Sequence, residues 1–198
     1  KPNIHDIVLE EIKKSIKKST IVVTIAAGID INYIETKLGH DTKVIRTMPN
    51  TPSLVGQGMS AICRNKNVID KELEYVVALF ESFGKVEIFD ESLMDFIPAV
   101  SGSSPAYVFM LIEALADGGV ASGIPREKAY KMAAQAVLGA AQMVLETGKH
   151  PGELKDMVCT PGGATIEAVS TLETNNFRGA ILAAMKACND KSIAMLKK

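Results

Sequence analysis

The sequence predicts an α/β region over residues 1–91 followed by an all-α region over residues 92–198. Up to about residue 91, short β-branched runs alternate with amphipathic helical patterns, which is typical of an α/β sheet with short loops. Beyond that point no further strand pattern occurs, and Ala, Leu, Met and Gly recur at helical spacing. The second region carries few charges, which favours packing against a second copy of itself.

The α/β region alternates between two kinds of pattern. Apolar residues at helical spacing predict helices over residues 3–17, 31–38 and 71–83. Short apolar, mostly β-branched runs predict strands over residues 20–25, 43–48, 60–63 and 86–89. We expect the first strand to be buried in a parallel sheet. Asp30 and Gly39 are placed to begin and end the second helix, because Asp accepts backbone hydrogen bonds and Gly adopts left-handed conformations.

The all-α region contains four predicted helices. Three of them cover residues 104–121, 125–147 and 177–197, and the fourth begins at Pro161–Thr165 and continues to Glu173. Pro105 and Pro125 lie in first turns, where the missing N–H of proline costs nothing, and Gly148 follows the last residue of its helix.

Composition excludes several classes of protein. Hydrophobic residues make up 47% of the chain and mean hydropathy is +0.15, so the apolar excess must be buried in a core or a subunit interface. No run reaches the roughly 18 apolar residues of a membrane span, and no membrane partner is expected. A net charge of −1 and 5% aromatic residues argue against nucleic acid. Three scattered cysteines in no metal-ligand spacing predict a reducing cytoplasm and no metal site.

The Pro161–Thr165 turn is the first candidate for chemistry. Two glycines allow an anion to approach the backbone N–H groups at a helix start, where the helix dipole adds partial positive charge. Thr165 adds a hydroxyl beside this cradle, which can donate to or accept from a ligand. The alternative interpretation is that Gly and Thr here are ordinary capping residues.

Two further loops follow predicted strands. Ligands of open α/β sheets bind beyond the carboxyl ends of the strands, where Ala26–Gly28 and Met48–Pro52 lie. Small residues in the first loop leave room for a flat ring or a sugar, and Asn50 could hydrogen-bond a ribose or a carboxamide. The alternative is that both loops are only turns, in which Pro, Asn and Gly are common. Similarly, Ser101–Pro105 offers several hydroxyls, or is simply an N-cap followed by proline.

Six segments in a fixed order carry a resemblance to a known family. They are Lys1-Pro2 before an Ile/Val-rich helix, Val23–Gly28, Val44–Pro52, Ser101–Tyr107, Glu113–Val120, and His150–Asp156 leading into Pro161–Ile166. With these motifs, essentially the whole chain resembles the pyrroline-5-carboxylate reductases. Two positions depart from the usual pattern: Ser104 stands where many relatives have Gly, and Pro98 where Thr is common.

The resemblance implies a truncated Rossmann-type dinucleotide-binding domain over residues 1–91 and a helical dimerisation and substrate-binding domain over residues 92–198. The first strand and Gly-rich turn would precede Lys1, so we expect a fragment of a longer polypeptide. NADPH or NADH would lie along Lys1, Ala26, Ala27, Met48 and Asn50. The substrate would contact Glu91, Ser103, Gly162, Gly163, Ala164 and Thr165. Thr165 would be the catalytic hydroxyl nearest the ring nitrogen.

The expected reaction is the reduction of 1-pyrroline-5-carboxylate to L-proline, the last step of proline biosynthesis, in a homodimer or a larger homo-oligomer. Two alternatives stay open. The chain as given could be an inactive dimeric helical scaffold, or a reductase of the 3-hydroxyacid dehydrogenase type. The latter would use a Lys near the start of the long helix, and no Lys occurs there before Lys128. The choice between NADPH and NADH depends on residues expected upstream of Lys1.

Overall fold

A computed structural model describes residues 4–196 and divides into two compact units. The first unit comprises the chain up to Pro105 together with the segment from Met185 onward, and the second comprises Ala106–Ala184. The α/β region followed by a helical region is confirmed. The domain limits at residues 91 and 92 stay a prediction.

The first unit contains a four-stranded mixed sheet in the order β1-β2-β3-β4. Its strands are β1 (Ile21–Thr24), β2 (Lys43–Met48), β3 (Gly58–Arg64) and β4 (Gly84–Ile88), and its helices are α1 (His5–Ile12), α2 (Ile31–Leu38) and α3 (Asp70–Glu81). Helix crossovers make β1–β2 and β3–β4 parallel. Between β2 and β3 the chain has only the 3₁₀ turn Thr51–Val55, so this pair is antiparallel. The predicted elements are confirmed with shifted ends, of which the earlier end of α1 is the largest.

The two faces of the sheet bury different side chains, because neighbouring residues of a strand point to opposite faces. Val44 and Ala61 pack with residues of α1 and α2, whereas Ile45 and Ile62 pack with residues of α3. The first strand is less buried than predicted: Val23 is 38% exposed, and only Thr24 of β1 is buried. The reason is that β1 lies at an edge of the sheet that the described residues form.

Asp30 and Gly39 fix the ends of α2, and two glycines allow β3 and β4 to begin close together. Asp30 Oδ1 accepts from the N–H of Tyr33 at 2.6 Å, and Gly39 ends α2 with φ at +118°, so both predicted caps are confirmed. At the starts of β3 and β4, a Cβ on Gly84 would overlap the backbone of Gly58. Glycine is therefore required there by close backbone approach rather than by a turn.

The second unit holds most of α4 (Ser104–Ala121), all of α5 (Arg126–Thr147), α6 (Pro151–Val158) and α7 (Ala164–Thr174), and the start of α8 (Phe177–Leu196). Close packing explains one of the two glycines in α4: a Cβ on Gly119 would touch the Cβ of Ala129 at 3.4 Å. Gly118 has open space around it. Helix α6 was not predicted, although the His150 side chain caps it and Pro151 occupies its first turn.

The start of α4 corrects one interpretation. Pro98–Gly102 forms a π-helical turn directly before α4, and the N–H of Ser103 donates to the Pro98 carbonyl at 2.7 Å. The Ser104 hydroxyl donates to the Val100 carbonyl at 2.6 Å instead of capping the helix. The N-cap interpretation is therefore wrong, because helical backbone already precedes Ser104.

Helix α4 and its π turn are strongly apolar. The segment Pro98–Ala121, 24 residues long, is apolar enough by length and composition to cross a membrane. Counting apolar residues in the sequence missed it, because Glu113 and Asp117 interrupt the pattern. Core helices of soluble proteins pass the same test, and the absence of a membrane partner stays a prediction.

Candidate active site

A cavity lies at the carboxyl ends of β1 and β2. The loop Ala26–Gly28 forms one part of its wall, and Thr47 and Met48 form another. The structure thus brings together Ala26, Ala27 and Met48, three of the residues predicted to contact the dinucleotide. The position agrees with the rule that ligands of open α/β sheets bind beyond the carboxyl ends of strands.

The loop after β1 is held by hydroxyl groups at its start. The Thr47 hydroxyl donates to the Thr24 carbonyl at 3.0 Å, and the N–H of Ala26 donates to the Thr24 hydroxyl at 3.3 Å. Gly28 has φ at +78°, a left-handed conformation that favours glycine. The loop therefore presents small side chains and open backbone on a fixed support.

Asn50 is already bonded at both ends of its amide. Its Oδ1 accepts from the N–H of Met59 at 2.8 Å, and its Nδ2 donates to the Ser101 carbonyl at 3.0 Å. These bonds tie the loop after β2 to β3 and to the π turn. Asn50 keeps one amide N–H for a ligand, so its contact with the dinucleotide stays a prediction, beside a structural role that the sequence did not suggest.

Glu91 is similarly engaged by the fold. Its Oε1 accepts from the N–H of Ile31, the first residue of α2, at 2.7 Å, and lies 3.5 Å from Nη1 of Arg46. Arg46 Nη2 also donates to Asp95 Oδ1 at 2.6 Å. The predicted contact of Glu91 with substrate is not tested by these bonds, but the carboxylate has a clear structural role.

Sequence reasoning missed Arg46 and Asp95. The signal was present, because Arg46 stands between Ile45 and Thr47 in a strand that is buried, and a buried arginine needs carboxylate partners. The segment after β4 contains Asp90, Glu91 and Asp95, and could have been predicted to supply those partners.

Ser103 lies at the junction between the π turn and α4. Its hydroxyl accepts from the thiol of Cys188 at 3.3 Å. The preceding Gly102 packs against Met48, since a Cβ there would lie 3.1 Å from the Met48 methyl group. Ser103 thus belongs to the first unit, and its predicted substrate contact stays a prediction.

The Gly-Gly turn belongs to the second unit. Gly162 has φ at +67°, and the N–H of Gly163 donates to the Thr160 carbonyl at 3.0 Å. A Cβ on Gly163 would overlap the Thr160 hydroxyl, so glycine is needed for this entry into α7. Gly163 is the N-cap, which leaves the N–H groups of Ala164 and Thr165 free of intrahelical partners.

Thr165 is not a capping residue, because it is the second residue of α7 and Gly163 occupies the cap. Its side chain is half-buried and makes no hydrogen bond to another side chain or backbone group within residues 4–196. The turn therefore offers backbone donors and one hydroxyl in close succession. Lys1, the remaining predicted cofactor contact, lies outside the described residues.

Cys63 lies near the charged groups of Arg46, Glu91 and Asp95 and is chemically unreactive. The residue is 2% exposed and pairs with Arg46 across the β2–β3 ladder. Burial, reinforced by the negative charge of Glu91, raises the pKa of this thiol to about 11. The thiol is therefore protonated at neutral pH and is not a nucleophile. Within residues 4–196, no group of three or more His, Cys, Asp or Glu side chains is arranged to hold a metal ion.

The structure joins an α/β region, with a cavity at the carboxyl ends of β1 and β2, to a region of long helices, an arrangement typical of enzymes that bind a nucleotide at the edge of an α/β sheet. Residues 91–195 match the family described as pyrroline-5-carboxylate reductase dimerisation. The chain is 52% identical to the Escherichia coli pyrroline-5-carboxylate reductase over 197 residues, which is 100% of this chain and 73% of that protein. The chain therefore belongs to the pyrroline-5-carboxylate reductase family.

Solved structures agree. A Plasmodium falciparum pyrroline carboxylate reductase with NADP bound superposes with a TM-score of 0.90 at 37% identity, covering 98% of this chain and 78% of that one. The Coxiella burnetii enzyme gives a TM-score of 0.92 at 34% identity, covering 100% and 74%. The fold class and the family resemblance are thereby confirmed, and the 3-hydroxyacid dehydrogenase alternative falls.

The Cys63 thiol generates a prediction about pH. Below its ordinary pKa of 9.0 the thiol is protonated in both the folded and the unfolded chain, so its contribution to stability is complete. Between pH 9.0 and about 11, the unfolded thiol ionises first and stability is lost. We expect the free energy of unfolding to fall in this window by about 2–3 kcal/mol more in the wild type than in Cys63→Ala.

Chemical denaturation at a series of pH values measures this difference. The variant loses packing at every pH, which shifts its curve by a constant, whereas the thiol affects only the slope. Parallel curves for the two proteins between pH 9.0 and 11 would contradict the raised pKa.

Proposed function

We propose that the turn Gly162–Thr165 binds the substrate and that the loops around Ala26–Ala27 and Met48–Asn50 bind the nicotinamide cofactor. The enzyme reduces 1-pyrroline-5-carboxylate to L-proline with NAD(P)H, the last step of proline biosynthesis. The observation that carries this function is the 52% identity to the Escherichia coli reductase along the whole chain.

The substrate is a small cyclic imine that carries a carboxylate. Gly163 at the N-cap and the unpaired N–H groups of the first residues of α7 suit such an anion, because they add to the positive end of the helix dipole. Neither Gly162 nor Gly163 has a side chain that would hinder the approach of the carboxylate. We assign the carboxylate to this turn.

We assign Thr165 to the ring nitrogen of the substrate. Its hydroxyl has no intramolecular partner within residues 4–196, so it can both donate and accept. A protonated imine accepts hydride far better than a neutral one. Because the imine nitrogen is basic enough to be protonated before the transfer, the protein need not supply a strongly acidic side chain. The threonine hydroxyl is too weak an acid to be the ultimate proton source, so its role is to orient the ring N–H and to relay a proton from water. Orientation of two bound reactants can account for about 7–11 kcal/mol of barrier lowering.

We assign the dinucleotide to the carboxyl ends of β1 and β2. Ala26, Ala27 and the left-handed Gly28 line the cavity there with small side chains, and Met48 is a further part of its wall. Beside it, Asn50 faces a cleft with apolar walls that include Ile25 and Leu54. NAD(P)H, when bound, supplies the hydride for C5 of the imine. The chain's own residues would hold it in place for this transfer.

The activity is tested with the full-length protein in a steady-state assay that follows cofactor absorbance. We expect oxidation of NADPH or NADH that depends on added 1-pyrroline-5-carboxylate, with L-proline as the product. Comparing the two cofactors in the same assay also measures the preference between them. Cofactor oxidation that does not respond to the substrate would contradict the assigned reaction.

Substitution of Thr165 tests its role. We expect Thr165→Val to lower kcat/KM by about 10²–10⁴, the range usual for a positioned proton donor or acceptor, because the hydroxyl is lost. Valine keeps the shape and Thr165 does not cap the helix, so melting temperature and NAD(P)H affinity should barely change. Thr165→Ser should keep most of the activity.

Thr171→Val on the same helix is the matched control. Its hydroxyl donates to the Glu167 carbonyl at 3.0 Å, so it also loses a threonine hydroxyl, but away from the turn. Wild-type kcat/KM in Thr165→Val, or an equal loss in both variants, would remove the proposed role.

The homodimer follows from the dimerisation family that residues 91–195 match. Helix α4 supplies exposed apolar side chains for it, including Phe109 at 60% and Met110 at 68% exposure. We propose that this face of α4 contacts the partner subunit. An assembly larger than a dimer, a cytoplasmic location and the absence of nucleic-acid and membrane partners stay predictions, of which the location is supported by three free cysteines within residues 4–196.

Charge placed on α4 tests this interface. We expect Met110→Glu to shift the protein from dimer to monomer at micromolar concentration, because a carboxylate would be buried without a partner. Tyr75→Glu on α3, where the side chain is 65% exposed and lies outside the matched segment, is the control and should remain dimeric. Sedimentation velocity separates the outcomes. A dimeric Met110→Glu protein would place the interface elsewhere.

A further inference from the structure

The loop between β1 and α2 is held at both ends. At its start, the N–H of Ala26 donates to the Thr24 hydroxyl, and the Thr47 hydroxyl donates to the Thr24 carbonyl at the end of β1. At its end, the N–H of Ile31 donates to Glu91 at 2.7 Å. Glu91 is 60 residues away along the chain, so the end of the loop is fixed by a segment that is remote in sequence.

Arg46 fixes Glu91 in turn. The Arg46 side chain is 6% exposed, and its two terminal nitrogens reach different carboxylates. Nη2 donates to Asp95 Oδ1 at 2.6 Å, and Nη1 lies 3.5 Å from the Glu91 oxygen that holds Ile31. The planar guanidinium presents its donors in a rigid fork, so the positions of both carboxylates are set together.

Two members of this group of charged residues also line the cavity at the carboxyl ends of β1 and β2. Arg46 and Asp95 form part of the wall of this cavity, together with Ala26, Ala27 and Gly28. One arginine therefore connects strand β2, the segment after β4 and the far end of the loop. If Glu91 were lost, Asp95 would still pair with the guanidinium, so the buried charge would stay compensated while the link to the loop was broken.

We propose that Arg46 is a positioning residue for dinucleotide binding, which acts through Glu91 on the backbone of Ile31 and so on the loop Ala26–Asp30. The proposal rests on the cofactor contacts assigned above to Ala26 and Ala27. A loop that is already ordered need not be ordered by the ligand, and binding is correspondingly tighter. In this arrangement Glu91 serves the cofactor side of the reaction, and its effect on the substrate is indirect.

Three variants of the full-length enzyme test this, with the dissociation constant of NADPH measured by fluorescence titration in the absence of substrate. Glu91→Ala removes the acceptor of the Ile31 N–H, and we expect it to raise Kd about tenfold, as for loss of a hydrogen bond to a charged group. Glu91→Gln keeps an oxygen acceptor and should raise Kd less. Arg46→Lys loses the fork to the two carboxylates and should raise Kd about as much as Glu91→Ala.

Glu72→Gln is the matched control. Glu72 forms an ion pair with Lys43, also between a strand and another element of the first unit, with side chains 21% and 22% exposed. Both neutralised pairs should lower the melting temperature, but only the Glu91 and Arg46 variants should change Kd for NADPH. The KM for 1-pyrroline-5-carboxylate, measured at saturating NADPH, should stay near the wild-type value.

Two results would overturn the proposal. One is a folded Arg46→Lys or Glu91→Ala protein with Kd within twofold of the wild type. The other is a Glu91→Gln protein with raised substrate KM and unchanged Kd, which would assign Glu91 to the substrate. A further variant, Ala27→Leu, tests the assigned cofactor contacts independently of Arg46, because Ala27 is an exposed residue of the loop. If it leaves Kd unchanged, the assigned cofactor contacts fail; if it alone raises Kd, only the role of Arg46 fails.

Discussion

The second unit has almost no core of its own. Of residues 106–184, only Ala116, Ala129, Ala133 and Leu154 are buried, and three of these carry a single methyl group. Burial contributes about 25 cal/mol per Å² of apolar surface, so alanines stabilise a helical bundle weakly. Large side chains such as Phe109 and Leu145 remain exposed. The helical unit therefore exposes much apolar surface, and its match to a dimerisation family indicates that a partner subunit covers part of it.

The parts of the fold that follow from local pattern were predictable from sequence. Strands β1 and β2 and the caps of α2 follow from β-branched runs and from Asp30 and Gly39. The antiparallel pairing of β2 and β3 was not predicted, because it results from a connection too short for a helix. The π turn before α4 also escaped, since nothing in Pro98–Gly102 distinguishes it from an ordinary helix start. The length of the connection between β2 and β3 can be read from the sequence, whereas the backbone hydrogen bonds of the π turn follow no pattern of residue types.

The candidate site divides in the same way. The turn at Gly162 and Gly163 was predictable, because positive φ and close approach require glycine there. Roles inferred for Asn50 and Glu91 were incomplete, because each side chain is bonded to residues about 50 to 60 positions away. A polar side chain in a loop looks available for a ligand in the sequence, whereas the fold decides how much of its hydrogen-bonding capacity is left. Arg46 shows the converse: a residue placed in a buried strand turned out to line the cavity.

Polar side chains that are hydrogen-bonded within the fold can be distinguished from those left free to contact a ligand. In the first unit, the polar side chains at the strand ends are tied to the fold, Asn50 to Ser101 and Arg46 to Asp95. Such groups give rigidity, and rigidity suits a surface that must hold a large flat cofactor in one orientation. Thr165, by contrast, keeps both its donor and its acceptor for a ligand. A reaction that needs orientation more than acid strength would suit this arrangement, in which most polar groups hold the fold and the proposed role of Thr165 is to offer one hydroxyl to the reacting ring.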